Sequence, residues 1–243
     1  MERREFVSCL GCAGILPALW TGTHVIDRPI QIRYWVSPRA ARIADHEGLL
    51  PYVETALEPV FSSIDVSYGG IVPVSKEDGY EVMRSGEWPL RMLTDSGTAD
   101  GPVPDANLLL TDGPMGPDPP GFARGPFASL GGASHLATVP DRNAVDDIVN
   151  YDLTMYTIQI FLHELGHTLG LAHDHGSILP ASDGHVASPM VSGYAWQPPS
   201  DQFSSDHSHC GMVYPDSVDG NRYLSLTFSS CAQDHLRSYR PTR

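Results

Sequence analysis

The amino-acid sequence predicts an α/β fold of the α+β kind, and three observations support this prediction. The order strand, helix, strand within residues 30–68 favours a parallel pair of strands joined by a crossover helix. A long apolar helix is expected from about Val145 or Asp152 to Leu169. After residue 170 the sequence is irregular and polar until a terminal helix near residues 232–239. We therefore expect one folded domain.

Hydrophobic periodicity justifies the individual elements. The segment 30–36 alternates apolar and polar residues, as a strand does, and the segment 64–68 predicts a second strand. Between them, apolar residues recur at helical spacing in residues 49–61, where Pro51 is tolerable only in the first turn. The remaining expected elements are a helix near residues 77–84, strands at 106–111 and 135–139, and a glycine- and proline-rich loop at 112–132 with at most a short edge strand.

The composition is that of an acidic globular protein. The chain carries 15 basic and 29 acidic residues, for a formal net charge of −14. Such a surface repels nucleic acid and anionic membranes, so neither is an expected partner. Lys76 stands alone as a lysine beside abundant aspartate, and this composition resembles that of proteins from halophilic microbes. An ordinary acidic secreted protein is the alternative.

Residues 1–23 resemble an export signal. Arg3 and Arg4 precede an uncharged stretch from Phe6 to Trp20, which is the layout of a basic start followed by a short apolar run. The arginine pair is similar to a twin-arginine signal. About fifteen residues are short for a spanning helix, which needs roughly twenty. We expect an extracellular or cell-surface protein that meets a membrane only through an uncleaved or lipidated N-terminus; a buried N-terminal helix is the alternative.

Two cysteines remain after such a signal. In an oxidising exterior Cys210 and Cys231 would close a loop of about twenty residues, which is worth roughly 3 kcal/mol. Two free buried thiols are the alternative.

The stretch FLHELGHTLGLAHDHG, beginning at Phe161, contains four histidines and one glutamate. His163 and His167 are four residues apart, so at about 100° per residue they share one face of a helix and can bind one metal ion. Glu164 is offset enough to miss the metal and to reach a water bound to it. This spacing predicts two metal ligands and a general base.

A zinc site that performs chemistry usually has three protein ligands. Gly170 can adopt a left-handed conformation and end the helix, so that His173 can return to the metal. The stretch matches HExxHxxGxxH at every fixed position, and a methionine follows at Met190. In these features the chain resembles the metzincin clan of zinc endopeptidases. The resemblance implies that Met190 forms an apolar floor beneath the three imidazoles without bonding the metal.

The resemblance also implies a fold and an activity. The fold would be metzincin-like, with a twisted mixed sheet and a long active-site helix in an upper subdomain of about residues 28–170, and a small irregular lower subdomain of about residues 171–243. One catalytic Zn²⁺ would lower the pKa of its bound water toward about 7, and Glu164 would take the proton as that water attacks the scissile carbonyl. The implied partner is a protein or peptide substrate, and we expect a monomer and a metallopeptidase domain over residues 24–243.

Weaker similarities concern single residues. Asp174 follows the third histidine, as in the adamalysin-like branch, where such an aspartate ties the turn to the lower subdomain; a helix-exit acid is the alternative. Tyr194 lies where matrixin-like members place a tyrosine in the wall of the specificity pocket, although an ordinary buried tyrosine would read the same. The tyrosine ligand of astacin-like members is absent, since Ser192 occupies its position. The segment 121–135 is the candidate edge for an extended substrate.

Two other functions stay open. A catalytically silent surface-binding module could retain zinc for stability, but it would have no chemical need for Glu164. A metallohydrolase of another clan would take its third ligand from a distant helix, and the spacing from Gly170 to His173 argues against that. Calcium is possible but not indicated, because the spacing of the loop aspartates matches no known calcium loop.

Overall fold

The computed structural model describes residues 28–94, 101–115, 120–191 and 220–239 of the chain. The strands within these ranges are β1 (Ile30–Val36), β2 (Ile64–Ile71), β3 (Ala106–Leu110), β4 (Gly121–Arg124), β5 (Phe127–Leu130), β6 (Ile148–Asn150), β7 (Ile178–Ala181), β8 (Gly184–Ala187) and β9 (Asn221–Ser225). The α-helices are α1 (Ala40–Ile43), α2 (Leu50–Leu57), α3 (Gly79–Arg84), α4 (Glu87–Thr94), α5 (Leu153–Thr168) and α6 (Ser230–Arg237). Short 3₁₀ helices lie at Glu47–Leu49, Ala133–Leu136, Arg142–Ala144 and His173–His175.

The first sheet is mixed and has the order β2-β1-β3-β5-β4. Strands β2, β1, β3 and β5 are parallel, and β4 is antiparallel to β5 at one edge. The predicted parallel pair is confirmed, with Ile30 opposite Ile64. Strand β3 is buried along its whole length, because helices cover both faces of the sheet. The α/β fold class predicted from the sequence is therefore confirmed.

Two apolar clusters lie on the two faces of this sheet. The larger one contains most of the apolar side chains of α2 and α5, together with Ala128 and Leu130 of β5. The smaller one is built on Trp35, Trp88 and Phe127, and the rings of Trp35 and Trp88 meet edge to face with centroids 5.1 Å apart. Alternate residues of one strand thus enter different clusters, as the two-residue period of a strand requires.

Asp105, at the start of β3, joins both ends of the described chain. Its carboxylate is fully buried and accepts two 2.8 Å hydrogen bonds from the guanidinium of Arg28. It also accepts a hydrogen bond from the backbone N–H of Gln31 and one from the hydroxyl of Tyr239. A buried carboxylate requires such partners, because an unpaired charge in the interior is costly.

Helix α5 begins and ends at recognisable caps. The side chain of Asp152 accepts a 2.8 Å hydrogen bond from the N–H of Met155, which satisfies a free donor of the first turn. At the other end Gly170 has φ 88°, and the N–H groups of Gly170 and Leu171 bond to the carbonyls of His167 and Gly166. This is a Schellman motif, which stops the helix and turns the chain.

Several expectations about loops and strands are wrong. The expected strand at 135–139 is instead a 3₁₀ turn, Ala133–Leu136, and its extension. Ala133, Leu136 and Val139 are buried at a spacing of three, which suits a 3₁₀ turn better than a strand. The expected loop at 112–132 contains the hairpin of β4 and β5, so the edge strand is confirmed but the inner strand β5 was not predicted.

A second sheet, with the order β6-β9-β8-β7, makes the region after residue 170 more regular than the sequence predicts. Its strands have three to five residues each, which is too short for a clear alternating pattern. The sheet includes β6, which precedes α5 in the chain. The boundary between subdomains at residues 170 and 171 stays a prediction.

The described ends add two observations. Cys231, in α6, is disulfide-bonded, while Cys210 lies outside the described residues. Within the described ranges no helix is long and apolar enough to cross a membrane. The expected signal segment, residues 1–23, also lies outside them.

Candidate metal centre

Three imidazoles converge at the end of α5. The Nε2 atoms of His163 and His167 are 3.0 Å apart, those of His167 and His173 are 3.1 Å apart, and those of His163 and His173 are 3.3 Å apart. In a tetrahedral zinc site with metal–nitrogen bonds of about 2.0–2.1 Å, the nitrogen atoms lie about 3.3 Å from one another. The triangle therefore has the size that one ion needs, and it is the one such group of three ligands in the described parts of the chain.

The outer nitrogen atoms determine the tautomers. The Nδ1 of His163 lies 2.7 Å from the carbonyl of Pro189, and the Nδ1 of His167 lies 2.8 Å from the carbonyl of Leu171. A carbonyl only accepts, so in each ring Nδ1 carries the proton and donates it. The Nε2 lone pairs then face the middle of the triangle. Lone pairs 3 Å apart repel each other, and a cation between them removes the repulsion, so the donor set fits a metal ion.

Burial keeps these rings neutral. Desolvation lowers the pKa of His163 well below its ordinary value, and it lowers the pKa of His167 as well. Burial, followed by the neighbouring charge of His167, lowers the pKa of His173 to about 4. A metal competes with protons for imidazole nitrogen, so rings that are neutral at neutral pH are ready to bind one.

The position of the third histidine follows from the helix end. Because the Schellman motif at Gly170 reverses the chain, His173 returns toward His163 and His167 in a 3₁₀ turn. A residue with a Cβ would be strained at φ 88°, which explains the glycine in the sequence pattern. The sequence analysis predicted this turn, and the structure brings the three predicted ligands together.

Met190 packs under the helix beside these ligands. It is fully buried, and a Cβ added to Gly166 would lie 2.4 Å from its sulfur atom. The residue before it, Pro189, provides the carbonyl that orients His163. Pro189 and Met190 thus contact α5 in two ways. The sulfur of Met190 lies against Gly166, and the carbonyl of Pro189 orients the ring of His163. Met190 was predicted from the sequence to lie beneath the imidazoles, whereas Gly166, whose lack of a side chain makes room for the sulfur, was not predicted.

Glu164 is buried beside the triangle. Its Oε2 atom has no hydrogen-bond partner among the described residues, and burial raises the pKa of its carboxyl to about 8. A buried carboxyl oxygen without a hydrogen-bond partner costs free energy. Proteins keep such a group where it exchanges a proton with a water molecule or a substrate.

The edge strand β4 lies directly against this carboxylate. A Cβ added to Gly121 would be 2.6 Å from Oε1 of Glu164, so only glycine lets the carboxylate occupy its position. The sequence analysis named the segment 121–135 as a candidate edge but gave no contact with Glu164. The two residues are distant in sequence, and no local pattern indicates that they touch.

The other candidate residues are placed as follows. The carboxylate of Asp174 lies 3.2 Å from Nδ1 of His175, whose ring packs on His235 of α6 with centroids 4.2 Å apart. Asp174 is thereby linked to the last helix, and its role as a tie between subdomains stays a prediction. Tyr194 lies outside the described residues. Asp112 forms an ion pair with Arg39 at 2.6 Å.

No protein-family model matches the chain, and no curated protein matches it. Among solved structures, the crystal structure of an archaemetzincin from Methanopyrus kandleri is similar in outline, with 19% sequence identity and a TM-score of 0.44 over 86% of this chain and 96% of that chain.

Proposed function

We propose that this protein is an exported zinc-dependent endopeptidase of the metzincin type. One observation carries the proposal: three imidazoles bring their Nε2 atoms within 3.3 Å of one another, and beside them Oε2 of Glu164 has no hydrogen-bond partner among the described residues. Three histidines and one free position are the usual composition of a catalytic zinc site. A structural site would be closed by a fourth ligand, and the described residues bring only these three histidines together.

The residues that would hold the ion are His163, His167 and His173. When bound, zinc would supply a Lewis acid that polarises the scissile carbonyl and acidifies a water molecule. The chain's own contribution is to fix the rings. The carbonyls of Pro189 and Leu171 accept hydrogen bonds from Nδ1 of His163 and His167. These bonds set the tautomer and the ring orientation that metal binding requires.

Glu164 would act as the general base. It would take a proton from the attacking water and then give that proton to the leaving amine. Its burial favours this role, because a carboxyl whose pKa is raised accepts a proton more readily than an exposed one. Gly121 keeps the carboxylate in place by leaving it room.

An extended peptide would bind along β4. This strand pairs with β5 on one side, and it is the last strand of the first sheet in the described residues. A peptide that adds to such an edge gains backbone hydrogen bonds without regard to its sequence. Because Gly121 touches Glu164, a peptide on this edge would pass next to the general base.

The same proposal covers location and family branch. Residues 1–23 would direct export by the twin-arginine route, and the acidic surface would suit a salt-rich exterior. A monomer fits a site built from one chain. Asp174 and Tyr194 would play the adamalysin-like and matrixin-like roles described above.

The test compares purified wild-type protein with Glu164→Ala in high salt. Metal content is measured together with cleavage of casein, an unfolded substrate. We expect both proteins to bind about one zinc ion and only the wild type to cleave. If both bind zinc and neither cleaves a broad panel of substrates, the protein is a silent binding module and the peptidase proposal is wrong.

A further inference from the structure

The hydrogen-bond pattern of β4 shows which backbone groups face outward. The N–H of Gly131 donates to the carbonyl of Pro120, and these residues lie opposite each other in the continued register of the hairpin. In an antiparallel pair, positions that bond to the partner alternate with positions that face away. Pro120, Phe122 and Arg124 therefore bond toward β5, while Gly121 and Ala123 direct their N–H and C=O groups to the outer edge.

The side chains of β4 alternate in the same way. Gly121 lies on the face that carries α5, against Glu164. Phe122 lies on the opposite face, where its ring meets that of Tyr80 in α3 edge to face, with centroids 5.6 Å apart. The backbone of β4 therefore lies between Glu164 on one face and the rings of Phe122 and Tyr80 on the other.

Phe122 is 38% exposed, although it is a large apolar side chain on an edge strand. Its contact with Tyr80, which is itself half-buried, holds the ring on one side. An aromatic ring that is fixed in this way loses little conformational entropy when another side chain packs on it.

We propose that Phe122, supported by Tyr80, is a specificity-determining residue that selects an apolar side chain of an extended substrate. The proposal rests on the proposed peptidase function. A peptide that bonds to Gly121 and Ala123 places one of its residues opposite Phe122, on the same face and with Cβ atoms about 4.5–5.5 Å away. Its next residue lies opposite Gly121 and beside Glu164, so the selected side chain belongs within about two residues of the cleaved bond.

The first arm of the test measures cleavage. Wild-type protein is given a mixture of synthetic peptides, and the cleavage positions are read by mass spectrometry. From the preferred position two peptides are made that carry phenylalanine or alanine there. We expect Phe122→Ala to reduce the ratio of their kcat/KM values by about threefold to tenfold, the size of an aromatic pair contact. Phe122→Leu should keep most of the preference.

A matched control is Ile71→Ala. Ile71 is 53% exposed on β2, the opposite edge of the same sheet, so its loss removes a similar apolar surface without touching β4. It should leave the ratio unchanged. The metal content of every variant is measured as well, which separates a loss of preference from a loss of fold.

The second arm measures binding without cleavage. The Glu164→Gln protein is titrated calorimetrically with two extended peptides that are chosen without cleavage data and differ only in carrying phenylalanine or alanine at every second position, and Phe122→Ala is introduced into that background. We expect the phenylalanine peptide to bind more tightly and this advantage to vanish with Phe122→Ala. If the wild type cleaves nothing but this advantage is seen, the peptidase function fails and the subsite stands. If Phe122→Ala keeps the wild-type preference in both arms, the inference is wrong.

Discussion

The two edges of the first sheet differ in a way that supports the proposed function. Strand β2 has eight residues, pairs in parallel with β1 and is interrupted by a register shift at Gly70, whose φ is 105°. The ring of His46 stacks on Tyr68 with centroids 4.8 Å apart. A bulge is one means by which proteins protect an edge from pairing with another strand. Strand β4 has no register shift in the described residues.

Strand β4 instead has four residues, and Glu164 lies behind its first one. The edge without a bulge is therefore the one next to the three histidines of the candidate metal centre. An unprotected edge is a liability in most proteins, and it becomes useful where an extended substrate must pair. The following experiments compare matched residues at the two edges.

The largest expected effect is a loss of zinc affinity when one histidine of the candidate metal centre is replaced. His163→Ala removes one of three ligands and the ring that Pro189 orients. Loss of partners behind a ligand alone costs about 10-fold to 100-fold in metal affinity, so loss of the ligand should cost more than about 100-fold. Zinc titration with a competing chelator measures it. His46→Gln, at the β2 edge, is the control and should bind zinc as the wild type does; a similar loss there would contradict the assignment of the centre.

The next effect is expected from glycines. Gly121→Ala places a methyl group where Oε1 of Glu164 lies, so the carboxylate must move. A displacement of about 1 Å at a reacting group can cost roughly 100-fold in rate. We expect kcat on casein to fall by about 10-fold to 100-fold while the zinc content stays near that of the wild type. An unchanged kcat would show that the contact with Glu164 does not matter for cleavage.

Gly70→Ala provides the contrast at the other edge. A Cβ at Gly70 would meet nothing within 4 Å, but its φ of 105° is strained for any side chain. The substitution should lower the free energy of unfolding by about 1 kcal/mol. Chemical denaturation measures this change, and activity per folded molecule should not change. The two glycines would thus separate stability from catalysis.

The smallest effect is expected from pH at the β2 edge. Burial lowers the pKa of His46 below its usual value of 6.5. The unfolded chain therefore binds more protons than the folded one as the pH falls through 6.5, and the stability that depends on the neutral ring is lost there. Tm should fall between about pH 7 and pH 5 in the wild type, and this fall should be smaller in His46→Gln by a few degrees at most. An identical decline in both proteins would contradict this.

Local patterns predicted the parts of the molecule that are local in sequence. The grouping of His163, His167 and His173 follows from helical spacing and one helix cap, all within a single short segment. The parallel pair β1 and β2, helix α5 and helix α6 follow from periodicity and are confirmed. Each depends on interactions between near neighbours, which a sequence displays directly.

The rest depends on contacts between distant residues. The second sheet joins β6, which precedes α5, to β9 far beyond it, and strands this short have no distinctive period. Strand β5 was hidden in a segment crowded with glycine and proline. The contact of Gly121 with Glu164 and that of Gly166 with Met190 require the folded chain, because a glycine gives no sign of what fills the space beside it.

The stability of both described ends of the chain depends on one carboxylate, that of Asp105. Arg28 and Tyr239, near the two ends of the described chain, both reach this one carboxylate. A protease that trims either end would remove a partner of the same buried charge. Loss of Arg28 would leave that charge without its cation, which is among the most destabilising single changes in a protein interior. For a protein proposed to work among other secreted proteases, resistance to digestion would depend on keeping both ends shielded at this one carboxylate.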